Sequence, residues 1–485
     1  MIDIFINLFS NEVFLFGLFL FSIIILLCIS ELTYRLNLKS NTFNRKIIHF
    51  LIGSSASITP YIFNKSYFPI MLALIFLLIN YISIKNNKLR SLKIDGIDSY
   101  GTIYFPISYI LLTTFFWNFP SHITISMLIL AISDPVASLL GKKINYNKSF
   151  NLYGDRKTYI GSSAMFISSF LISLISTSYL FNWGFQFCFI ASIFIGLSST
   201  ISESISHKGS DNLSIPIITF LFIEMFCFIY SQNSINEFII ITLLIIFTLY
   251  IVYQKEHLSI SGFIGASLMA TLIIGYRGFN ILLILMVFFI SSSILSHMKN
   301  KNIQSKKSRR TINQVYANGG IALLIFLVSH FFNNDIMPIL VLSSIASANA
   351  DTWGTELGKL SLKQPIDIIS RKEIKIGSSG GITIIGTIGS LMGSILIGGL
   401  GYFFDLELSV IIAIILAGFS ASIIDSIIGS TYQARFICSK NSNISERKKL
   451  NHYLYTGYKN INNDMVNLIC TTTAPITVLV YSYFF

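Results

Sequence analysis

Asp134 and Asp351 each open the pattern D-x6-G-K, closed by Gly141-Lys142 and by Gly358-Lys359. Beyond each lies a basic stretch with a glycine–serine turn, Lys157-Thr158-x-x-Gly161-Ser162 and Lys375-x-Gly377-Ser378-Ser379-Gly380-Gly381. Its first glycine falls 27 and 26 residues after the aspartate. These residue types fit the handling of phosphate. Glycines let backbone N–H groups converge on one concavity, and a following helix N-terminus adds partial positive charge. One or two carboxylates with substrate phosphates suit Mg²⁺, while a lysine neutralises a transferring phosphoryl group. The competing reading is packing, because Gly and Ser let helices approach closely, as expected for Gly386, Gly389 and Gly393. More acids follow in each half: Glu203 and Asp211-Asn212 in the first, Asp425 and Asp464-x-x-Asn467 in the second. Asp211 also suits a helix cap. Arg45-Lys46-x-x-His49 and Arg309-Arg310-x-x-Asn313 lead into the two motif regions, with His49 open to a proton-accepting or an interfacial role.

The elements that must position these groups are membrane helices. Hydrophobic residues make up 53% of the chain and charged ones 12%, with a mean hydropathy of +0.70. A soluble surface needs about 25% charge, so a soluble enzyme, a disordered chain and a secreted disulfide scaffold are excluded. The five cysteines show no C-x-x-C pair and read as small buried hydrophobes. Apolar runs of spanning length recur to the end of the chain and predict about sixteen transmembrane helices. The first run carries Asp3 and Glu12 rather than a basic leader, so a retained span is expected.

Of the 34 Lys and Arg, all but Lys65 and Arg277 fall in alternate loops, which places those loops on the cytoplasmic or equivalent face. The +12 charge is thus explained by topology rather than by nucleic acid. Asp134, Glu203, Asp351 and Asp425 come at or near the basic-side ends of spans, and Asp211, Glu356 and Asp464 in adjoining loops. Helix-end solvation accounts for single acids, less well for a cluster with glycines. Both motif copies lie on one face, so the halves repeat in parallel orientation. The expected fold is all-α and polytopic, in two tandem halves, 1–254 and 255–485. Glu224 is set apart in the middle of a span, where an ionised carboxylate costs about 2.5 kcal/mol or more unless paired.

At these residues the chain resembles two membrane families placed end to end. Residues 1–254 resemble the phytol and dolichol kinases through Arg45-Lys46-x-x-His49, Tyr100-Gly101-Thr102-Ile103-Tyr104-Phe105-Pro106, Asp134-x-x-Ala137-x-x-x-Gly141, Lys157-Thr158-x-x-Gly161-Ser162 and Asp211-Asn212. Ile160 departs from the K-T-x-E-G pattern of that family, leaving Glu203 to supply the carboxylate. Residues 255–485 resemble the family that includes plant phytyl-phosphate kinase, through Gln314-x-x-x-Asn318-Gly319-Gly320, Asp351-Thr352-Trp353-Gly354-Thr355-Glu356-Leu357-Gly358, Gly377 to Gly381, Asp425-x-x-x-Gly429 and Asp464-x-x-Asn467.

The resemblance implies two phosphoryl transfers, prenol to monophosphate and monophosphate to diphosphate. The implied donor is a nucleoside triphosphate, CTP in the first family, with Mg²⁺. It implies catalytic roles for Asp134, Glu203, Asp351 and Glu356, and metal contacts at Asp134, Asp211, Asp351 and Asp425. Nucleotide or phosphate contacts fall to Lys157, Thr158, Gly161, Ser162 and Asn212, and to Lys375, Gly377, Gly380 and Gly381. The expected partners are an isoprenoid alcohol, its monophosphate, the nucleotide and the bilayer. The rival from another class is a secondary transporter, prompted by the many spans, the repeat and Glu224. A transporter should gather its polar groups near the bilayer midplane.

Overall fold

The computed structural model describes residues 11–36, 41–86, 100–143, 148–297, 309–332, 336–438, 444–446 and 452–484. These divide into two compact units, Met1–Ile235 and Asn236–Phe485. The first holds α1 (Glu12–Arg35), α2 (Asn41–Ile62), α3 (Tyr67–Asn86), α4 (Gly101–Phe115) and α5 (Pro120–Lys143). It continues with the two-residue strands β1 (Ser149–Phe150) and β2 (Lys157–Thr158), then α6 (Tyr159–Leu180), α7 (Phe185–Ser204) and α8 (Asp211–Ser231). The second begins with α9 (Ile235–Gln254), α10 (Ile260–Gly275), α11 (Phe279–His297), α12 (Ile312–Phe332) and α13 (Met337–Gly358). After β3 (Ile366–Asp367) and β4 (Gly381–Ile382) come α14 (Ile384–Gly398), α15 (Leu408–Thr431), a three-stranded sheet and α16 (Asn463–Phe484).

The protein is an all-α, multi-pass integral membrane protein. Among the described residues sixteen α-helices occur, of which twelve are long and apolar enough to cross a membrane. The remaining four explain the difference from the expected count. α4 and α10 are apolar but only 15 and 16 residues long, short of the about 20 needed to span. α2 carries Arg45, Lys46 and His49, and α13 carries Asn349, Asp351 and Glu356.

A helix apolar on every side is stable where other helices surround it. In the first unit that helix is α5, 67% buried over its apolar window, against 17% for the peripheral α1. It packs on α2, α6 and α8. In the second unit the centre is α13, where every residue from Leu340 to Ala350 is buried among α12, α14, α15 and α16. The outer helices show the complement. Phe21 on α1 and Leu243 and Phe247 on α9 are more than 60% exposed, as side chains facing lipid should be. Each central helix therefore carries its D-x6-G-K aspartate near its C-terminal end, Asp134 buried and Asp351 partly buried at the edge of the buried stretch.

Candidate active site

In the first unit Asp134 is buried on α5, one residue before Pro135, whose missing N–H interrupts the helical ladder. Lys46 of α2, itself buried, donates from Nζ to Asp134 Oδ2 at 2.6 Å. His49, one turn further along α2, holds Nε2 3.8 Å from the same oxygen and 3.2 Å from the carbonyl of Leu130. A buried charge pair of this kind needs all its members, because removing one leaves the other uncompensated at a cost of about 3–5 kcal/mol.

The hairpin after α5 returns the chain to that helix. β1 and β2 pair antiparallel, Phe150 opposite Lys157, and α6 starts at the next residue after β2. Thr158 caps α6, its Oγ1 accepting from Gly161 N at 3.1 Å. The cap is possible because α5 and α6 touch at two glycines. A Cβ on Gly141 would sit 2.7 Å from Thr158 Oγ1, and one on Gly161 would sit 3.1 Å from the carbonyl of Ala137. Gly161 is thus placed by packing, and its N–H is engaged by the cap.

Lys157, fixed by the same hairpin, donates from Nζ to Glu203 Oε1 at 2.5 Å and to Ser206 Oγ at 3.2 Å. Burial works to lower the Lys157 pKa, but the carboxylates of Glu203, Asp211 and Asp134 outweigh it and hold the ammonium above its ordinary value. Glu203 ends α7, and its second oxygen, Oε2, is buried with no hydrogen-bond partner. Asp211 opens α8 within electrostatic reach of Asp134, Lys157 and Lys46. Asn212 leaves its own Oδ1 buried and unpartnered, and Ser162 Oγ lies 3.4 Å from Ser204 Oγ. Four helices and one hairpin therefore bring Asp134, Lys157, Thr158, Gly161, Ser162, Glu203, Asp211 and Asn212 into one neighbourhood. Lys46 is paired with Asp134 and Lys157 with Glu203, Asp211 accepts from Asn212 N at 3.1 Å, and one oxygen each of Glu203 and Asn212 lacks a donor.

The second unit repeats the frame with different chemistry. β3 and β4 pair antiparallel, Thr383 caps α14 by accepting from Gly386 N at 3.0 Å, and a Cβ on Gly386 would sit 2.9 Å from the carbonyl of Gly354 and 3.3 Å from Gly358 Cα. Ala137 and Gly354 each stand three residues after the motif aspartate. The counterparts of Thr158 and Gly161 are thus Thr383 and Gly386, and Ile382 occupies the place of Lys157. Spacing alone pairs Gly161 with Gly377, which the packing does not support. Gly377 lies in an exposed turn at φ +81°, with open space around its would-be Cβ.

Around that turn the loop is tied down. Gly380, at φ +83°, packs so closely on the backbone of Ser430 that a Cβ would lie within 2.8 Å of it. Gly381 sits in β4 opposite Asp367, which is buried and accepts from Ser430 Oγ at 2.8 and 2.9 Å, Ile369 N at 3.1 Å and Ser370 N at 2.7 Å. Against the opposing effect of burial, these donors hold the Asp367 carboxyl below its ordinary range. Ser379 N donates to Glu446 Oε1 at 2.8 Å, so a carboxylate already occupies one of the N–H groups that an anion would use. Lys375 is exposed.

The acids of this unit gather below the loop. Asp351 lies within electrostatic reach of Glu356 and Lys359, which are themselves bonded at 2.8 Å. Asp425, on α15, lies within reach of Asp351 and Glu446, and its Oδ2 is buried without a hydrogen-bond partner. Asn467 reaches Asn318 at 3.2 Å. Arg310, just ahead of α12, donates to Ser292 Oγ at 3.1 Å and covers the ring of Phe289 at 5.0 Å. Burial brings it down to about 10 despite the nearby Glu356.

Lys46, Arg310 and the Asp367–Ser430 clasp were not among the expected site residues. A lysine or arginine at the edge of an apolar run signals the first two. Nothing local marks Asp367, whose partner is 63 residues away. Glu224 is not alone in its span, because His122 Nε2 lies 2.9 Å from its carboxylate.

Residues 243–475 match the family described as integral membrane protein DUF92. An uncharacterized membrane protein of Methanocaldococcus jannaschii is 31% identical over 246 residues, covering 50% of this chain and 93% of that protein. Protein PGR of Arabidopsis thaliana is 28% identical over 45% of this chain and 86% of its own length. The phytol kinase of Synechocystis is 28% identical over 39% of this chain and 81% of its own length. No solved structure matches.

Proposed function

The chain belongs to the DUF92 family of integral membrane proteins, and from that premise we propose that it is a two-step isoprenoid kinase. The first unit transfers a phosphoryl group from a nucleoside triphosphate, CTP in this reading, to phytol or a similar prenol. The second converts the monophosphate to the diphosphate. Similarity to phytol kinases supports the first step, and the repeated helix–hairpin–helix frame with its own acids supports the second.

The observation that carries the reading is the cluster of buried Asp134 and Glu203 and partly buried Asp211 gathered with Lys46 and Lys157. Phosphoryl transfer asks for positioning and charge stabilisation more than for covalent chemistry. Lys157, held protonated, neutralises phosphate oxygens. Glu203, with one oxygen on Lys157 and the other without a donor, accepts the proton of the prenol hydroxyl as its oxygen bonds to the terminal phosphorus and the nucleoside diphosphate leaves with the bonding electrons. Such an alcohol needs a base. A phosphate nucleophile does not, in keeping with Ile382 and the absence of a lysine–glutamate pair at that place in the second unit.

The unpartnered carboxylate oxygen of Asp425 is what a hard cation would use, and the carboxylate sets fit Mg²⁺. Asp134 and Asp211 would hold it in one unit and Asp351 and Asp425 in the other, where it would offset charge on the phosphates. The excess of Lys and Arg in the motif-bearing loops supports the cytoplasmic or equivalent face for this chemistry. Purified protein in detergent, given radiolabelled CTP, Mg²⁺ and phytol, should yield lipid mono- and diphosphate. No labelled lipid across a panel of prenols and triphosphates would end the proposal.

A further inference from the structure

Twelve residues before Asp134 on α5, about 18 Å along the axis, a second cluster joins α5 to α8. His122 lies near the start of α5. Glu224 and Cys227 stand one turn apart on α8 and present the same side of that helix. His122 Nε2 is 2.9 Å from Glu224 Oε2 and 3.4 Å from Cys227 Sγ, and all three ligand atoms lie within 4.8 Å of one another. The histidine is buried and ringed by Phe119 and Phe181 edge-on and by Phe220, with centroids 5.3 to 5.4 Å away.

Two partners converge on a single imidazole nitrogen. Nε2 carries either one proton or one lone pair, so it can serve Glu224 or Cys227 but not both. A cation placed among the three atoms serves all of them at once. Charge points the same way, because a divalent ion with one carboxylate, one thiolate and a neutral imidazole sums to zero. Zero is the least costly total for a site enclosed by phenyl rings inside a membrane protein.

Bond lengths of about 2.0 Å to nitrogen and oxygen and about 2.3 Å to sulfur give tetrahedral edges of about 3.3–3.6 Å. The nitrogen–sulfur separation of 3.4 Å already meets those edges, the nitrogen–oxygen pair at 2.9 Å opens by less than an ångström, and the oxygen–sulfur pair, within 4.8 Å, closes by about 1 Å or less. A thiolate with an imidazole disfavours Mg²⁺ and Ca²⁺ and suits zinc-class ions.

We propose that His122, Glu224 and Cys227 form a binding site for a zinc-class divalent metal that staples α5 to α8, with a fourth position left to solvent or an exogenous ligand. This site is separate in residues and chemistry from the acids assigned to Mg²⁺. His122 Nδ1 is buried with no hydrogen-bond partner, so the ligand lacks the usual outer brace. Affinity should therefore fall about 10- to 100-fold below that of a braced site, and a chelator should strip the metal.

The test uses untagged full-length protein in detergent, stripped with chelator and then given Co²⁺ or Zn²⁺. The proposal expects one retained metal per chain by elemental analysis. It also expects a thiolate-to-cobalt charge-transfer band with visible d–d bands of tetrahedral intensity, and a higher unfolding temperature that chelator reverses. Cys227→Ser, a near-isosteric change, should abolish the charge-transfer band, and His122→Ala should abolish retention. Wild-type protein that retains no metal and shows no cobalt bands overturns the site, as does a charge-transfer band that survives Cys227→Ser. The wild-type spectrum decides the matter even if His122→Ala does not fold.

Discussion

In the proposed reaction, Lys157 is the residue on which the first unit's chemistry turns. Its ammonium touches Glu203 and Ser206 and feels Asp211 and Asp134. Removing one electrostatic stabiliser of a transition state costs about 100- to 1000-fold in turnover. Lys157→Met should therefore reduce prenol phosphorylation by that factor, with phytyl monophosphate still converted to diphosphate when supplied directly. The surrounding carboxylates hold Lys157 above its ordinary value, so it remains protonated through neutral and mildly alkaline solution. A pH–rate profile of the first step should accordingly show no lysine-derived alkaline limb below about pH 10. Motif spacing marks Lys157 as a candidate phosphate ligand. Its pairing with Glu203 was not legible, because 46 residues and a whole helix separate them.

At the scale of elements, the unit of construction is a central helix, a two-stranded hairpin and a threonine-capped helix, clamped where glycines meet. That clamp separates two readings of the glycine–serine turns. Gly161→Ala forces a methyl against Thr158 Oγ1 and the Ala137 carbonyl, and should cost about 1–3 kcal/mol of stability through overpacking. Gly386→Ala should do the same in the second unit, where the Gly354 carbonyl is 2.9 Å away. Gly377→Ala meets no atom and pays only for its left-handed backbone, about 1 kcal/mol. Thermal unfolding in detergent should rank Gly161→Ala and Gly386→Ala below Gly377→Ala. A disproportionate loss of second-step activity in Gly377→Ala would mark that turn as phosphate-binding. D-x6-G was readable as a motif, but its glycine served packing, and the true register of the repeat emerged only from which atoms touch.

At the scale of the whole molecule, two units each have a buried helix at the centre and lipid-facing helices around it. If each carries its own reaction, damage to one should leave the other working. Asp351→Ala, in the full chain, should let the lipid monophosphate accumulate while the diphosphate disappears, as thin-layer separation of labelled lipids would show. Loss of the monophosphate as well would mean that the sites are not independent.

Composition and apolar periodicity determined by themselves that this chain lies in a membrane as helices, because lipid leaves no other way to satisfy the backbone and 12% charge cannot cover a soluble surface. They also marked Asp134 and Asp351, since a carboxylate at the end of a long apolar run stands out. Only the tertiary structure decided that Lys46 faces Asp134, that Ser430 clasps Asp367 and that His122 meets Glu224 and Cys227. Those partners come from helices distant in sequence, and their meeting depends on how helical faces rotate and pack, which no local pattern of residues encodes.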